Sequence, residues 1–332
     1  MRLRIPRWSQ VRECLRSAGI LWVSDGYCEG HCKKYRIQEP YCSQQLVEAV
    51  VLDPDLNDAI NSLWCDFLAK KHPAIRTIQE MILRTTVDLD AYRDWSSARA
   101  IDENIDVAIR LFDFSKNRIS IGPRNGRIST KIVLMKSAAR AFVRADGEPE
   151  SLWVVDLPNS QPTFLAIESI KRGCVDSGFV MACQHGWIYD LVCDWLNCSR
   201  RDAKKHLFNF LYGSTRPKEE PIRILKKNFK QQFPNTWRLI KKIKSGNYKR
   251  MALMLQQRER EFVIGRVCGS LIQNHPAMWM TTIHDAIMCK RRDVGIVAQE
   301  IRKAFRELDY GDDDIPVIHV KDTAKAIRGK SQ

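Results

Sequence analysis

Two apolar runs that each deliver an aspartate, with a long basic helical segment between them, constrain this chain more than any other feature. Leu152-Trp153-Val154-Val155 is a continuous run of strand-forming residues that ends on Asp156. Met280 through Ile283 is a second such run. It leads to His284-Asp285, and the pattern predicts a strand that continues through Ile287-Met288. β-Branched and aromatic residues suit a pleated, half-buried surface, so both runs read as strands. The residues between them are mostly helical in spacing as far as about Val267. Acid-bearing strands separated by a helical insertion predict an α+β fold, in which a finger-like module interrupts a sheet domain.

A carboxylate at the end of a buried strand is costly unless a cation or a hydrogen-bonding partner compensates it. Asp156 and Asp285 are 129 positions apart, yet strands laid side by side would aim both at one point. Such a pair can hold two divalent ions about 3.5–4 Å apart. Mg2+ suits it, because that ion takes one or two carboxylates plus phosphate oxygens, with Mn2+ as an alternative. A strand-end aspartate also serves as a cap or a turn residue, so the pair alone leaves both readings open.

Arg200, Lys204, Phe208 and Tyr212 recur every four residues, in a helix that Asn197 or Ser199 can cap and Gly213 can stop. Two cations near a helix N-terminus can hold a triphosphate. The two aromatics farther along the face offer flat surfaces to a sugar and a base. An amphipathic helix with a basic outer face and an aromatic stripe in the core would look the same.

Charge points to a polyanionic partner. The chain has 54 Lys and Arg against 39 Asp and Glu, a formal net charge of +15. Between Arg200 and Arg250 there are sixteen basic residues against three acids, interleaved with Phe208, Phe210, Tyr212, Phe229, Phe233, Trp237 and Tyr248. That density favours nucleic acid over a merely solvated face. No apolar run reaches the ~18–20 residues a membrane span needs, and the N-terminal residues hold no adequate secretory signal. The eleven cysteines are scattered and odd in number, as expected of reduced thiols in a cytoplasmic protein. Cys28, His31, Cys32 and Cys42 are zinc-competent, but their spacing is no recognised finger.

Elsewhere the spacing predicts helix over residues 11–17, 44–85 and 293–307, a turn over 122–126, and a short strand over 315–320.

The stretch from Arg200 to Gly213 resembles the fingers-helix motif of family A (DNA polymerase I-like) DNA polymerases: Arg, three residues, Lys, three residues, an aromatic, three residues, then Tyr-Gly. Upstream, Asp156-Leu157-Pro158-Asn159-Ser160-Gln161-Pro162-Thr163-Phe164-Leu165-Ala166 is similar to the family's first palm motif. Downstream, Ile283-His284-Asp285 resembles the second, His-Asp-Glu. Gly126-Arg127-Ile128-Ser129 is similar to the family's Gly-Arg-Leu-Ser segment, and Ala141-Phe142 to an Ala-Phe pair before the first aspartate. The order agrees, over roughly residues 125–320.

The resemblance implies a right-hand polymerase fold with an N-terminal region and reduced helical thumb at 1–120. Palm would lie at 121–195, helical fingers at 196–262, and the rest of the palm with the tail at 263–332. It implies that Asp156 and Asp285 bind two metals and that Arg200 and Lys204 hold the incoming triphosphate. Phe208 would pack on its sugar, and Tyr212 would guard the templating-base position. Arg127 would contact the primer–template minor groove, and His284 would help seat the primer end. Partners would be a primed DNA template, nucleoside triphosphates and replication accessory proteins, without a membrane. The segment before the palm leaves room for no proofreading nuclease, and so small a polymerase suits a phage, a plasmid or another mobile element.

The chain departs from the family pattern. Gln161 stands where a Glu usually walls off the nucleotide 2′ side, which keeps a primase-like or ribonucleotide-tolerant enzyme in view. Ala286 follows His284-Asp285 where a second acid is usual; activity with altered metal dependence is still expected, and a non-catalytic nucleic-acid binder on a decayed fold is the rival reading. Pro158 and Pro162 flank the first motif without an evident purpose in the sequence.

Overall fold

The computed structural model describes residues 21–23, 35–37, 72–97, 119–122, 125–308 and 315–327. The chain divides into two compact units, Met1–Asn61 and Ser62–Gln332. In the first, strands β1 (Leu21–Val23) and β2 (Tyr35–Ile37) pair antiparallel, Trp22 opposite Arg36. The helix expected over 11–17 and the zinc-competent Cys28, His31, Cys32 and Cys42 lie outside the described residues, as does most of the helix expected over 44–85.

The second unit mixes helices with small antiparallel sheets. It opens with α1 (Pro73–Leu83), β3 (Thr85–Val87) and α2 (Leu89–Ser97). The two-stranded hairpin of β4 (Ser120–Ile121) and β5 (Ile128–Ser129) follows, then α3 (Lys131–Leu134) and β6 (Val143–Ala145), which pairs with β3. Next come β7 (Trp153–Asp156), α4 (Ser160–Lys171), α5 (Ser177–Gln184) and α6 (Ile188–Leu196). The basic segment forms α7 (Arg200–Tyr212), α8 (Glu220–Gln232), α9 (Pro234–Lys244) and α10 (Lys249–Arg260). A π-helical stretch, Glu261–Cys268, carries α10 into α11 (Gly269–Asn274). The chain then returns to the sheet with β8 (Met280–Ile283) and β9 (Ala286–Cys289), crosses in α12 (Val294–Arg306), and ends on β10 (His319–Asp322).

The main sheet has the order β10-β7-β9-β8, antiparallel throughout. Two expectations are corrected here. The run from Met280 to Met288 is not one strand: it reverses at His284-Asp285, with Ile283 opposite Ala286. His284 takes φ 57° as the first turn residue, the backbone a two-residue hairpin needs to match strand twist. The last strand also lies later than the 315–320 span, because Thr323 docks on Leu152 through both its amide and its hydroxyl and sets the register.

Helix α4 is the axis of the core. Every residue from Ser160 to Ser169 is buried. Asn159 enters it at φ 64°, a left-handed conformation that Asn tolerates better than most residues. The structure supplies the purpose of Pro162 that the sequence lacks. It sits in the first turn of α4, where a backbone N–H would have no intrahelical acceptor, so nothing is lost.

Helix α7 begins and ends for identifiable reasons. The Ser199 Oγ accepts from the Asp202 amide at 3.2 Å and donates to the Asp202 carboxylate at 2.7 Å, a reciprocal N-cap. At the other end the Gly213 amide donates to the Asn209 carbonyl, and a Cβ at Gly213 would stand 2.5 Å from that oxygen. Only glycine fits so close an approach. Lys244 from α9 donates to the carbonyls of Phe210 and Gly213 at 2.6 and 2.9 Å, placing a cation on the negative end of the α7 dipole.

Candidate active site

The sheet register decides where the two strand-borne acids go. Val155 on β7 faces Ile287 on β9, so one further step puts Asp156 beside the turn that carries Asp285. Both carboxylates thus reach the same end of the sheet from neighbouring strands. Burial pushes the Asp285 carboxyl above the usual carboxylate range; a hydrogen bond from Ser160 opposes this and the negative charge of Asp156 reinforces it. Asp156 is held by Lys321 of β10, whose Nζ donates to Oδ2 at 2.6 Å. Lys321 lies opposite Val154, two positions from Asp156's own partner His319, on the same face of the sheet.

A third carboxylate stands next to the pair. Glu259 of α10 is 2% exposed. Its Oε1 accepts from the Arg127 guanidinium, and its Oε2 accepts from the Gln161 amide and, at 3.2 Å, from the Ser160 hydroxyl. A hydroxyl has one hydrogen to donate, so Ser160 cannot serve Glu259 and Asp285 together. The loop that brings Arg127 to Glu259 is shaped by Gly126. It has φ 67°, and a Cβ there would lie 2.9 Å from the Arg260 side chain.

Burial pushes the Glu259 carboxyl up to about 7, with Arg127 opposing and Asp285 reinforcing the shift. A folded-state value above the ordinary one means that the folded protein holds the proton more tightly than the unfolded chain. That stabilisation is fully present below the unfolded value of about 4.5 and is lost as pH rises through about 7. Melting temperature should therefore fall more steeply between about pH 5 and about pH 8 in the wild type than in Glu259→Gln. Parallel profiles in circular-dichroism melts would refute the assignment.

The remaining sequence-predicted residues group around these acids to different degrees. His284 is held below its usual pKa, chiefly by burial and then by Arg127, with Asp285 opposing. The Tyr212 phenol is pushed well above its usual value by burial, and the charges of Arg127, Glu259 and Asp285 all reach it. Its ring lies 5.4 Å from that of Phe208, one turn back on α7. Arg200 is engaged rather than free: its guanidinium pairs with Asp190 of α6, donates to the Gly186 carbonyl at 3.1 Å, and lies 5.6 Å from the Tyr189 ring centroid. Both partners of that pair are about half exposed, the class of ion pair that contributes little and exchanges readily for another anion. Lys204 is exposed one turn farther on.

Glu259, Ser160, Lys321 and Tyr189 belong to this cluster and were not foreseen. Glu259 sits in the alternation Arg258-Glu259-Arg260-Glu261, which reads as a solvated charge run. Lys321 is reached only through strand register. Several buried polar atoms here have no hydrogen-bond partner in the protein: Gln161 Oε1, both side-chain polar atoms of Asn159, and Arg127 Nε.

The donor chemistry fits a hard divalent cation, since two half-buried carboxylates at one end of the sheet gain from added positive charge. Among the described residues no group of three or more His, Cys, Asp or Glu side chains that could hold a metal ion is found. No helix among the described residues is long and apolar enough to cross a membrane.

No family model and no curated protein matches the chain. Among solved structures, it is similar to the POL domain of Pol1 from M. smegmatis in complex with DNA primer-template and dNTP, at 13% sequence identity and a TM-score of 0.45. The match covers 68% of this chain and 52% of that one, so the chain spans about half of that structure's length.

Proposed function

We propose that the chain is a template-directed DNA polymerase that extends a primer 3′-hydroxyl with deoxynucleoside triphosphates. The observation that carries this reading is the pairing of β7 with β9, which brings Asp156 and Asp285 to one end of the sheet. In this reading residues 121–195 and 263–332 form a palm, 196–262 the fingers, and 1–120 an N-terminal region with a reduced thumb.

Two Mg2+ ions held by Asp156 and Asp285 would activate the primer hydroxyl and stabilise the leaving pyrophosphate. The hydroxyl oxygen attacks the α-phosphorus in line, its proton passes to solvent, and the bond to pyrophosphate breaks. The protein's own share is positioning and charge neutralisation. Arg200 gives up Asp190 for the triphosphate, and Lys204 joins it from the next turn of α7. Phe208 packs on the sugar, Gln161 stands at its 2′ side, and Tyr212 guards the templating-base position. Arg127 and His284 seat the primer end. For both oxygens of Asp156 to face a divalent ion, Lys321 would have to release Oδ2.

That last requirement, together with Ala286, favours a second reading: a nucleic-acid binder in which an ammonium has replaced the metal. Extension of a short primed DNA template with Mg2+, supplying dNTPs and NTPs separately, distinguishes the readings. Elongation with dNTPs is the expected outcome, whereas elongation with NTPs alone would make the chain primase-like. Salt-sensitive DNA binding without elongation by either would establish the binder.

A further inference from the structure

The arrangement around Glu259 leaves one atom in an unusual position. Gln161 is 3% exposed, and its amide nitrogen is committed to Glu259. In the structure Glu259 acts as the acceptor, from the Arg127 guanidinium on Oε1 and from the Gln161 amide on Oε2. Glu259 therefore dictates which end of the Gln161 amide faces it, and the carbonyl Oε1 is turned the other way. That oxygen is buried without a partner in the protein, in the first turn of α4, five residues beyond Asp156. Two positions earlier, Asn159 leaves both its polar atoms equally unpaired. A buried acceptor left unsatisfied opposes folding, and such groups in folded proteins call for a specific explanation.

We propose that Glu259 is a positioning residue that holds Gln161 Oε1 ready to accept a hydrogen bond from a hydroxyl, amino group or ring N–H of the bound nucleotide. The identity of the ligand rests on the polymerase reading. The class of group follows from chemistry. Ionised phosphates carry acceptors only, so the donor on a nucleotide is a sugar hydroxyl or an amino or ring N–H of the base. Arg127 completes the hold, because its guanidinium engages the other carboxylate oxygen of Glu259 and keeps the group from rotating.

A reciprocal exchange tests this. In Glu259→Gln two amides face each other, and Gln161 loses the partner that fixes its orientation. In Gln161→Glu two carboxylates do, and they repel. The double variant restores one amide facing one carboxylate, with a spare acceptor still on α4. The measurement is the Kd of a nucleoside triphosphate, with Mg2+, for the full chain on a primer–template whose primer lacks a 3′-hydroxyl, so that no chemistry intervenes. Each single variant should bind about tenfold more weakly or worse, a loss of about 1.4 kcal/mol. The double variant should recover to within about threefold of wild type. Thermal melts run in parallel identify any variant that fails to fold.

Repeating the titration with a nucleotide that has no sugar hydroxyls separates the two donors. A penalty in Glu259→Gln that disappears assigns the sugar; one that persists assigns the base. Wild-type affinity in Glu259→Gln, or a folded double variant that recovers nothing, would overturn the proposal. Nucleotide binding by a wild-type protein that does not extend primers would refute the catalytic reading while leaving this inference standing. No nucleotide binding at all would remove both.

Discussion

Asp285→Asn is expected to lower primer extension on the order of a thousandfold or more while leaving the protein as stable as the wild type, or more so. The loss follows from removing one of two carboxylates that would hold the metals; removing a single charge-stabilising group from an active site costs about 100- to 1000-fold, and a metal ligand costs at least as much. The stability follows from the sign of the pKa shift. Burial raises the Asp285 carboxyl above its ordinary value, so keeping it ionised at neutral pH opposes folding, and a neutral isostere relieves that cost. Asn also keeps an acceptor for the Ser160 hydroxyl. Single-nucleotide incorporation rates and thermal melts, on the same preparations, check both halves. A variant that retains more than about a tenth of the wild-type rate would remove Asp285 from the chemistry.

Phe229→Ala is expected to destabilise the protein by about 3–5 kcal/mol, the usual range for truncating a fully buried phenylalanine. Phe229 is 0% exposed on α8. Its ring lies 5.5, 5.0 and 5.1 Å from those of Phe179, Phe210 and Phe233, which belong to α5, to α7 and to the junction of α8 with α9. Those rings form the floor under α7, so the variant should also bind nucleotide more weakly even where it remains folded. Urea denaturation measures the first effect. Ile224→Ala on the same helix, 40% exposed, is the control and should cost less than about 0.5 kcal/mol. Equal midpoints for the two variants would show that the aromatic floor does not support the helices above it.

These expectations depend on features of different legibility. Helix α7 could be read from the residues because its information is local. The Ser199 cap, the four-residue recurrence of Arg200, Lys204, Phe208 and Tyr212, and the glycine that Asn209 requires all lie within fifteen positions. Strand β7 was equally plain, because an apolar run of four β-formers has few alternatives. The hairpin at His284-Asp285 was not. An apolar run on both sides of two polar residues fits one long strand as well as two paired ones, and the positive φ of His284 leaves no mark in composition. The reversal matters, because it sets β9 rather than β8 against β7 and so delivers Asp285 to Asp156.

The sequence by itself determined helix α7, the acid-bearing strands and the concentration of positive charge, since periodicity, capping and side-chain chemistry act over a few residues. Only the tertiary structure decided which charges meet. Glu259 reads as one member of a charged alternation, yet the packing of α10 on α4 buries it between Arg127, Ser160 and Gln161. Arg200 reads as a free cation, yet the turn before α6 and Asp190 within it claim it. Lys321 reads as a surface residue of the last strand, yet its register against β7 carries its ammonium to Asp156. The partners of Glu259 and Lys321 come from distant parts of the chain, and those of Arg200 from the preceding helix and turn. The energy of a charge depends on what is brought beside it and on how much water is removed, and neither quantity is written locally.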